Sequence, residues 1–175
     1  TSTDISLLNS GYPEVSKQGA RIGIWETMAE AISISTQGLG GDSEITFEEK
    51  NSNLYINLGP KRVVPLSLIT ERYPSVLNIL ERQSKSPFYS HTDCIFVWKK
   101  NISKNLHWLS KIERVTFDKL QINEVYSLSE IAPNQSSFGA INRLIKYNLI
   151  EISGFTPTDA VHVLGIYNGF DTKAA

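Results

Sequence analysis

The spacing of apolar residues changes along this chain, and that change limits its possible folds more than any other feature. Toward the N-terminus the spacing is two: Ile22 and Ile24 alternate with small residues, Ile32, Ile34 and Thr36 repeat the pattern, and Ile45 and Phe47 alternate with polar neighbours. Such a period sends successive side chains to opposite faces of a strand. Asn9 and Gly11 in "NSGYP" separate Ile5–Leu8 from Glu14 and Val15, which predicts a short hairpin; "NSN" before "LYINL" predicts another, ending at Gly59 and Pro60. Residues 1–64 are therefore expected to be mostly sheet. "YPSVLNILERQ" then reads as a helix with Pro74 near its start and Val76, Leu77 and Leu80 on one face, and "CIFVW", residues 94–98, as a short buried strand. From Ser110 the period becomes helical. Ile112, Val115 and Leu120 suit one helix, "SLSEIA" a short second capped by Ser127, and "SSFGAINRLIKYNL" a third with Phe138, Ile141, Leu144 and Ile145 inward. "LIEISGF" follows as an edge strand. The chain is read as α/β, and three helices before a strand follow the plan of a winged helix-turn-helix.

That plan raises nucleic acid as a partner, and the charges argue against it. Between Phe117 and Phe155 the basic residues Lys119, Arg143 and Lys146 face Asp118, Glu124, Glu130 and Glu151. A helix that reads a groove neutralises several phosphates and offers Arg, Lys, Asn or Gln to base edges; the third helix offers Asn142, Arg143 and Lys146. The basic run Lys99, Lys100, Lys104, Lys111 and Arg114 lies upstream and reads as a solvated face. The whole chain of 175 residues carries a formal charge of -1, which supplies no pull toward nucleic acid or anionic membrane. No stretch approaches a membrane span of about 20 apolar residues, and the one cysteine, Cys94, has no partner for an internal disulfide, so the chain reads as cytoplasmic. It opens on "TSTDISLL" without a methionine and closes on "FDTKAA", where Asp171 resembles the N-cap of a helix barely begun; both ends read as cut.

Three stretches carry possible chemistry. In "STQGLGGDSEI", residues 35–45, Gly40 and Gly41 permit positive φ and close approach to a ligand, Asp42 supplies a carboxylate and Ser43 a hydroxyl. Such a turn suits a phosphate, a metal-bound phosphate or an activated carbonyl; the alternative is a glycine-rich hairpin with Asp42 capping its own backbone. In "GFTPTDAVHVLG", Thr156 is a good N-cap, Pro157 fits the first helical position, Asp159 falls where its carboxylate reaches back to the cap, and Gly165 closes the helix. That helix is expected to bury Ala160, Val161, Val163 and Leu164, with His162 structural rather than a ligand. In "YSHTDCIF", His91, Asp93 and Cys94 are metal-ligating types, but alternation along a strand separates Asp93 from Cys94, and Cys94 reads as a small buried hydrophobe.

The strings "TSTDISLLNSGYPEV", "GLGGDSEI", "LGPKRVVPLSL" and "GFTPTDAVHVLG", in this order and spread over nearly the whole chain, resemble the ATP-dependent hydantoinase/oxoprolinase family, whose relatives include subunits of acetone and acetophenone carboxylases. The resemblance implies an incomplete actin-like, sugar-kinase-like ATPase lobe of ribonuclease-H-like type at residues 1–98, a winged-helix-like insertion at 99–155 and a return to the parent domain at 156–175. It further implies an internal fragment of the hydantoinase A-like subunit, in which ATP activates a ring carbonyl of a hydantoin or 5-oxoproline for hydrolytic opening. Thr1, Ser2, Thr3 and Asp4 would then form one of two phosphate hairpins, with Asp4 holding Mg²⁺ or another divalent metal directly or through water. Gly40, Gly41 and Ser43 would join the nucleotide site, and Asp42 would be the catalytic carboxylate, whether as base, metal ligand or support. The partners implied are a cyclic-amide small molecule and a second subunit or another copy of the chain, with no nucleic acid and no membrane. The alternative reading is a non-enzymatic winged-helix module that binds DNA or a partner protein.

Overall fold

The computed structural model describes residues 3–17, 19–22, 25–87, 90, 92–100 and 106–175. Thr1, Ser2, Ile24, His91 and Lys104, all named in the expectations above, lie outside them. The chain divides into two compact units, Thr1–Gly40 and Gly41–Ala175.

The first unit is built of short antiparallel pairs. Strand β1 (Thr3–Ser6) pairs with β8 (Ile34–Gln37), β2 (Leu8–Asn9) with β3 (Tyr12–Pro13), β4 (Val15–Ser16) with β7 (Ala31–Ile32), and β5 (Arg21–Ile22) with β6 (Trp25–Glu26). The expected "NSGYP" hairpin is present: Leu8 faces Pro13 and Asn9 faces Tyr12, with Ser10 and Gly11 at φ 52° and 85°. Two central residues of positive φ match the twist of flanking strands, which explains Gly11.

The second unit opens with a long hairpin, β9 (Ser43–Lys50) and β10 (Asn53–Arg62), turned by Asn51 and Ser52, both of positive φ. Its register puts Phe47 opposite Ile56 and Glu49 opposite Leu54, so one face of the ribbon is largely apolar. That face is open: Leu54 and Ile56 are each 66% exposed. Near its base the register shifts between Leu58 and Arg62, so that Arg62 lies opposite Ser43.

The main sheet has the order β11 (Val64–Pro65), β14 (Ile150–Gly154), β12 (Phe96–Lys99), β13 (Val125–Ser127), with β14 parallel to β11 and antiparallel to β12. Helices α1 (Leu66–Arg72) and α2 (Ser75–Ser84) cover one face, and α3 (Lys111–Lys119), α4 (Leu128–Ile131) and α5 (Gln135–Lys146) cover the other. Alternation along β12 serves both layers. Phe96 and Trp98 pack with Leu66, Ile69, Tyr73 and Val76, while Val97 packs with Phe117, Leu120, Ile141 and Leu144. A final short helix, α6 (Pro157–Val163), follows β14.

The described chain is thus mixed α/β, with several departures from expectation. β14 is an interior strand, not an edge, because β11 pairs with its far side. Helix α3 turns Glu113, Thr116, Phe117 and Leu120 inward and leaves Ile112 and Val115 half exposed. Glu113 is tolerated inside because Ser110, at the N-cap, and Arg143, on α5, both donate to its carboxylate. Helix α6 likewise buries Asp159 and His162 and exposes Val163 and Leu164.

Candidate functional site

The glycine turn is held from two directions within the second unit. The carbonyl of Gly41 accepts the backbone N–H of Thr158 at 3.0 Å and its hydroxyl at 2.7 Å, fixing the turn to the start of α6. The carbonyl of Asp42 accepts the N–H of Val63 at 2.9 Å, fixing it to the end of β10. The Asp42 side chain is gripped by the preceding residue of that strand: Arg62 Nε donates to Oδ2 at 2.7 Å, and Arg62 Nη2 donates to the same oxygen. Arg62 is 59% exposed and Asp42 27%, so the pair lies at the surface. Beside it, Lys61 Nζ donates to Glu44 at 3.0 Å.

The role expected of Gly41 changes accordingly. Its φ lies outside the positive range that favours glycine; what requires glycine is space, because a Cβ there would come within 2.8 Å of the Thr158 hydroxyl. Ser43 is fully buried. Its hydroxyl is therefore not presented to solvent, whereas the Asp42 carboxylate is.

Beneath this turn the "TPTD" residues form a buried hydrogen-bond centre. Thr156 caps α6, and Asp159 returns the bond to the Thr156 N–H at 3.0 Å and accepts the Thr156 hydroxyl at 2.7 Å. The same carboxylate also accepts from Leu66 N at 3.2 Å, Ser67 N at 2.8 Å and Ser67 Oγ at 2.7 Å. Asp159 thus caps two helices at once, its own and α1, whose N-cap Pro65 offers no side-chain bond. His162 is equally occupied. Its Nδ1 donates to Thr158 O at 2.6 Å, its Nε2 accepts from Phe170 N at 3.1 Å, and its ring lies against Tyr167 and Phe170. Both nitrogens serve the fold.

The other expected site residues belong to the first unit. Asp4 pairs with Thr36 across β1 and β8, and the hydroxyl of Thr3 donates to Leu39 O at 3.1 Å, tying the N-terminal strand to the stretch that leads into Gly40. Thr3 and Asp4 are exposed. Thr1 and Ser2 are not among the described residues, and the boundary between units falls between Gly40 and Gly41.

The remaining candidates lie in "YSHTDCIF", of which His91 is outside the described residues. Cys94 sits at φ 59° with its N–H on Gln83 Oε1, and burial, aided by the Asp93 charge, pushes its thiol pKa up, which disfavours the nucleophilic thiolate. Among the described residues, no group of three His, Cys, Asp or Glu side chains is placed to hold a metal. Four described basic residues of the helical segment are engaged within the chain. Lys99 lies over the Phe117 ring at 4.1 Å, Lys100 contacts Asn148 and Glu151, Arg114 donates to Leu106 O, and Arg143 binds Glu113.

No family profile, no curated protein and no solved structure matches this chain. Arg62 was not among the residues singled out from sequence. The signal was faint: a basic pair, Lys61 and Arg62, at one base of a hairpin whose other base carries Asp42 and Glu44.

Proposed function

We propose that this chain is a segment of an ATP-dependent cyclic-amide hydrolase that opens a five-membered ring of hydantoin or 5-oxoproline type. The observation that carries the reading is the meeting of three of its four family-like strings at one place. "GLGGDSEI" reaches "GFTPTDAVHVLG" through Gly41 with Thr158 and through the N–H of Ile45 on Phe155 O, and it reaches "LGPKRVVPLSL" through Asp42 with Arg62 and Val63. Three strings that carry the resemblance are thus neighbours around one partly exposed carboxylate, which supports the reading.

In this reading Asp42 is the carboxylate at the reacting ring, held against drift by a pinned backbone and a guanidinium. Thr1, Ser2, Thr3, Asp4 and Gly40 serve the nucleotide, and Gly41 supports the turn. Asp4 suits Mg²⁺, which is commonly bound through one or two carboxylates together with phosphate oxygens and water. When bound, ATP supplies the phosphoryl group that activates the ring carbonyl. Each unit by itself exposes apolar side chains, Leu7, Leu8 and Tyr12 in the first and Leu54 and Ile56 in the second, to which a second subunit can pack.

The test is ATP turnover by the full-length protein with Mg²⁺ and either 5-oxoproline or hydantoin. Release of ADP should depend on the ring compound, and Asp42→Asn should lower it about 100-fold while folding survives. ADP release indifferent to every cyclic amide offered would refute the reading.

A further inference from the structure

Among the described cations of the second unit, Arg62 stands apart in how it engages its partner. Two of its N–H groups, Nε and Nη2, converge on one oxygen, Oδ2 of Asp42, and the next residue, Val63, holds the Asp42 main chain through its carbonyl at 2.9 Å. Consecutive residues thus fix the backbone and the side chain of the same aspartate. A guanidinium does this through a planar fork; an ammonium would be a single flexible point charge. The third anchor is the Gly41 carbonyl on Thr158, one residue before Asp42. The two main-chain anchors belong to the fold of the turn, whereas an ion pair so exposed contributes little to stability, which leaves positioning of the carboxylate as the role of the guanidinium.

Resting on the cyclic-amide reading, we propose that Arg62 is a positioning residue that aims the Asp42 carboxylate at the reacting ring. Its contribution runs through Asp42 and not through the nucleotide. Removing it should therefore let the carboxylate rotate away from productive geometry, which lowers kcat and leaves the KM for ATP unchanged. Misplacement on the scale of 1 Å costs about 100-fold in rate, and that is the size expected for Arg62→Gln. Arg62→Lys, which keeps the charge and loses the fork, should fall between the two.

The experiment is a double-substitution cycle in the full-length protein, with ring-dependent ADP release as the readout and the melting temperature as a check on folding. If Arg62 acts through Asp42, then Arg62→Gln added to Asp42→Asn should lower the rate no further than Asp42→Asn alone. An ion pair without a positioning role would leave kcat unchanged and would not produce that masking. Should Arg62→Gln fail to fold, Arg62→Lys is carried through the same cycle. A wild-type protein without ring-dependent turnover overturns the cyclic-amide reading and this inference with it. An active wild type in which Arg62→Gln keeps its kcat, or in which the two losses multiply, overturns the inference alone.

Discussion

Replacing Asp159 by Asn tests the account of the second unit most directly. The two side chains have nearly the same shape, so packing is preserved and only hydrogen bonding changes. Asp159 is fully buried and accepts from Leu66 N, Ser67 N, Ser67 Oγ, Thr156 N and Thr156 Oγ1. An asparagine oriented with its oxygen toward Ser67 keeps those two bonds. Its amide nitrogen then meets the N–H groups of Leu66 and Thr156, two donors against a donor, while the Thr156 hydroxyl can rotate to accept. Two buried backbone N–H groups without an acceptor cost about 1–3 kcal/mol each, so this orientation loses about 4 kcal/mol. The opposite rotamer orphans only the Ser67 N–H and is the one the side chain takes, so Asp159→Asn should lower stability by about 2 kcal/mol. Against a typical total of about 5–15 kcal/mol this is a large fraction. Urea unfolding followed by circular dichroism measures it, and hydrogen exchange at Leu66 and Ser67 locates it. Ser67→Ala, which removes one hydroxyl donor and leaves the carboxylate its other partners, should cost about 1–2 kcal/mol. A loss below about 1 kcal/mol for Asp159→Asn would refute the claim that this carboxylate holds α1 and α6 together.

Two other substitutions follow from the same geometry. Gly41→Ala places a methyl within 2.8 Å of the Thr158 hydroxyl, so it should cost about 1–3 kcal/mol by overpacking, and most of that cost should vanish in a Thr158→Ala background; equal costs in both backgrounds, read by thermal melting, would show that space is not the reason for glycine. The Glu113 carboxyl is held below its usual pKa, first by the Ser110 N–H and then, against the opposing effect of burial, by Arg143. Because the unfolded chain takes up that proton first, the stabilisation is present above the ordinary glutamate value of about 4.3 and is lost as pH falls through the folded value; Glu113→Gln should flatten stability against pH over that acidic window, and an unaltered curve would refute the assignment.

The legible parts of this fold were those whose causes lie within a few residues. The capping box of α6 is local, as are the positive-φ turns at Ser10–Gly11 and Asn51–Ser52. Helix α1 was invisible for the opposite reason. Its first N–H groups are capped by Asp159, 92 residues beyond Ser67, and no residue near Leu66 announces a start. The inward faces of α3 and α6 were misjudged because a periodicity argument sends apolar residues inside, and Glu113, Asp159 and His162 enter instead with their hydrogen bonds satisfied. Nor could the Asp42–Arg62 pair be read from a regular hairpin. Continuing the pairing of Leu58 with Ile45 would set Pro60 opposite Ser43, and only the irregularity before Arg62 brings the guanidinium to that end.

The division of labour between Asp42 and Asp159 changes where chemistry should be sought in this chain. Both belong to strings that carry the family resemblance, and by letter alone "TPTD" is as suggestive as "GGDS". A carboxylate offers about four lone-pair sites, and five protein donors already converge on Asp159, so it has no capacity left for a ligand or cation and no path to solvent. His162 is likewise closed by Thr158 and Phe170. These residues explain why the string is needed without giving it a reaction: they set the N-terminus of α6 where Thr158 can take hold of Gly41. The consequence reaches the surface one residue later, at Asp42, whose carboxylate remains partly exposed. A buried, saturated acid fixes the place of an exposed one, and it is the exposed one that a substrate can meet.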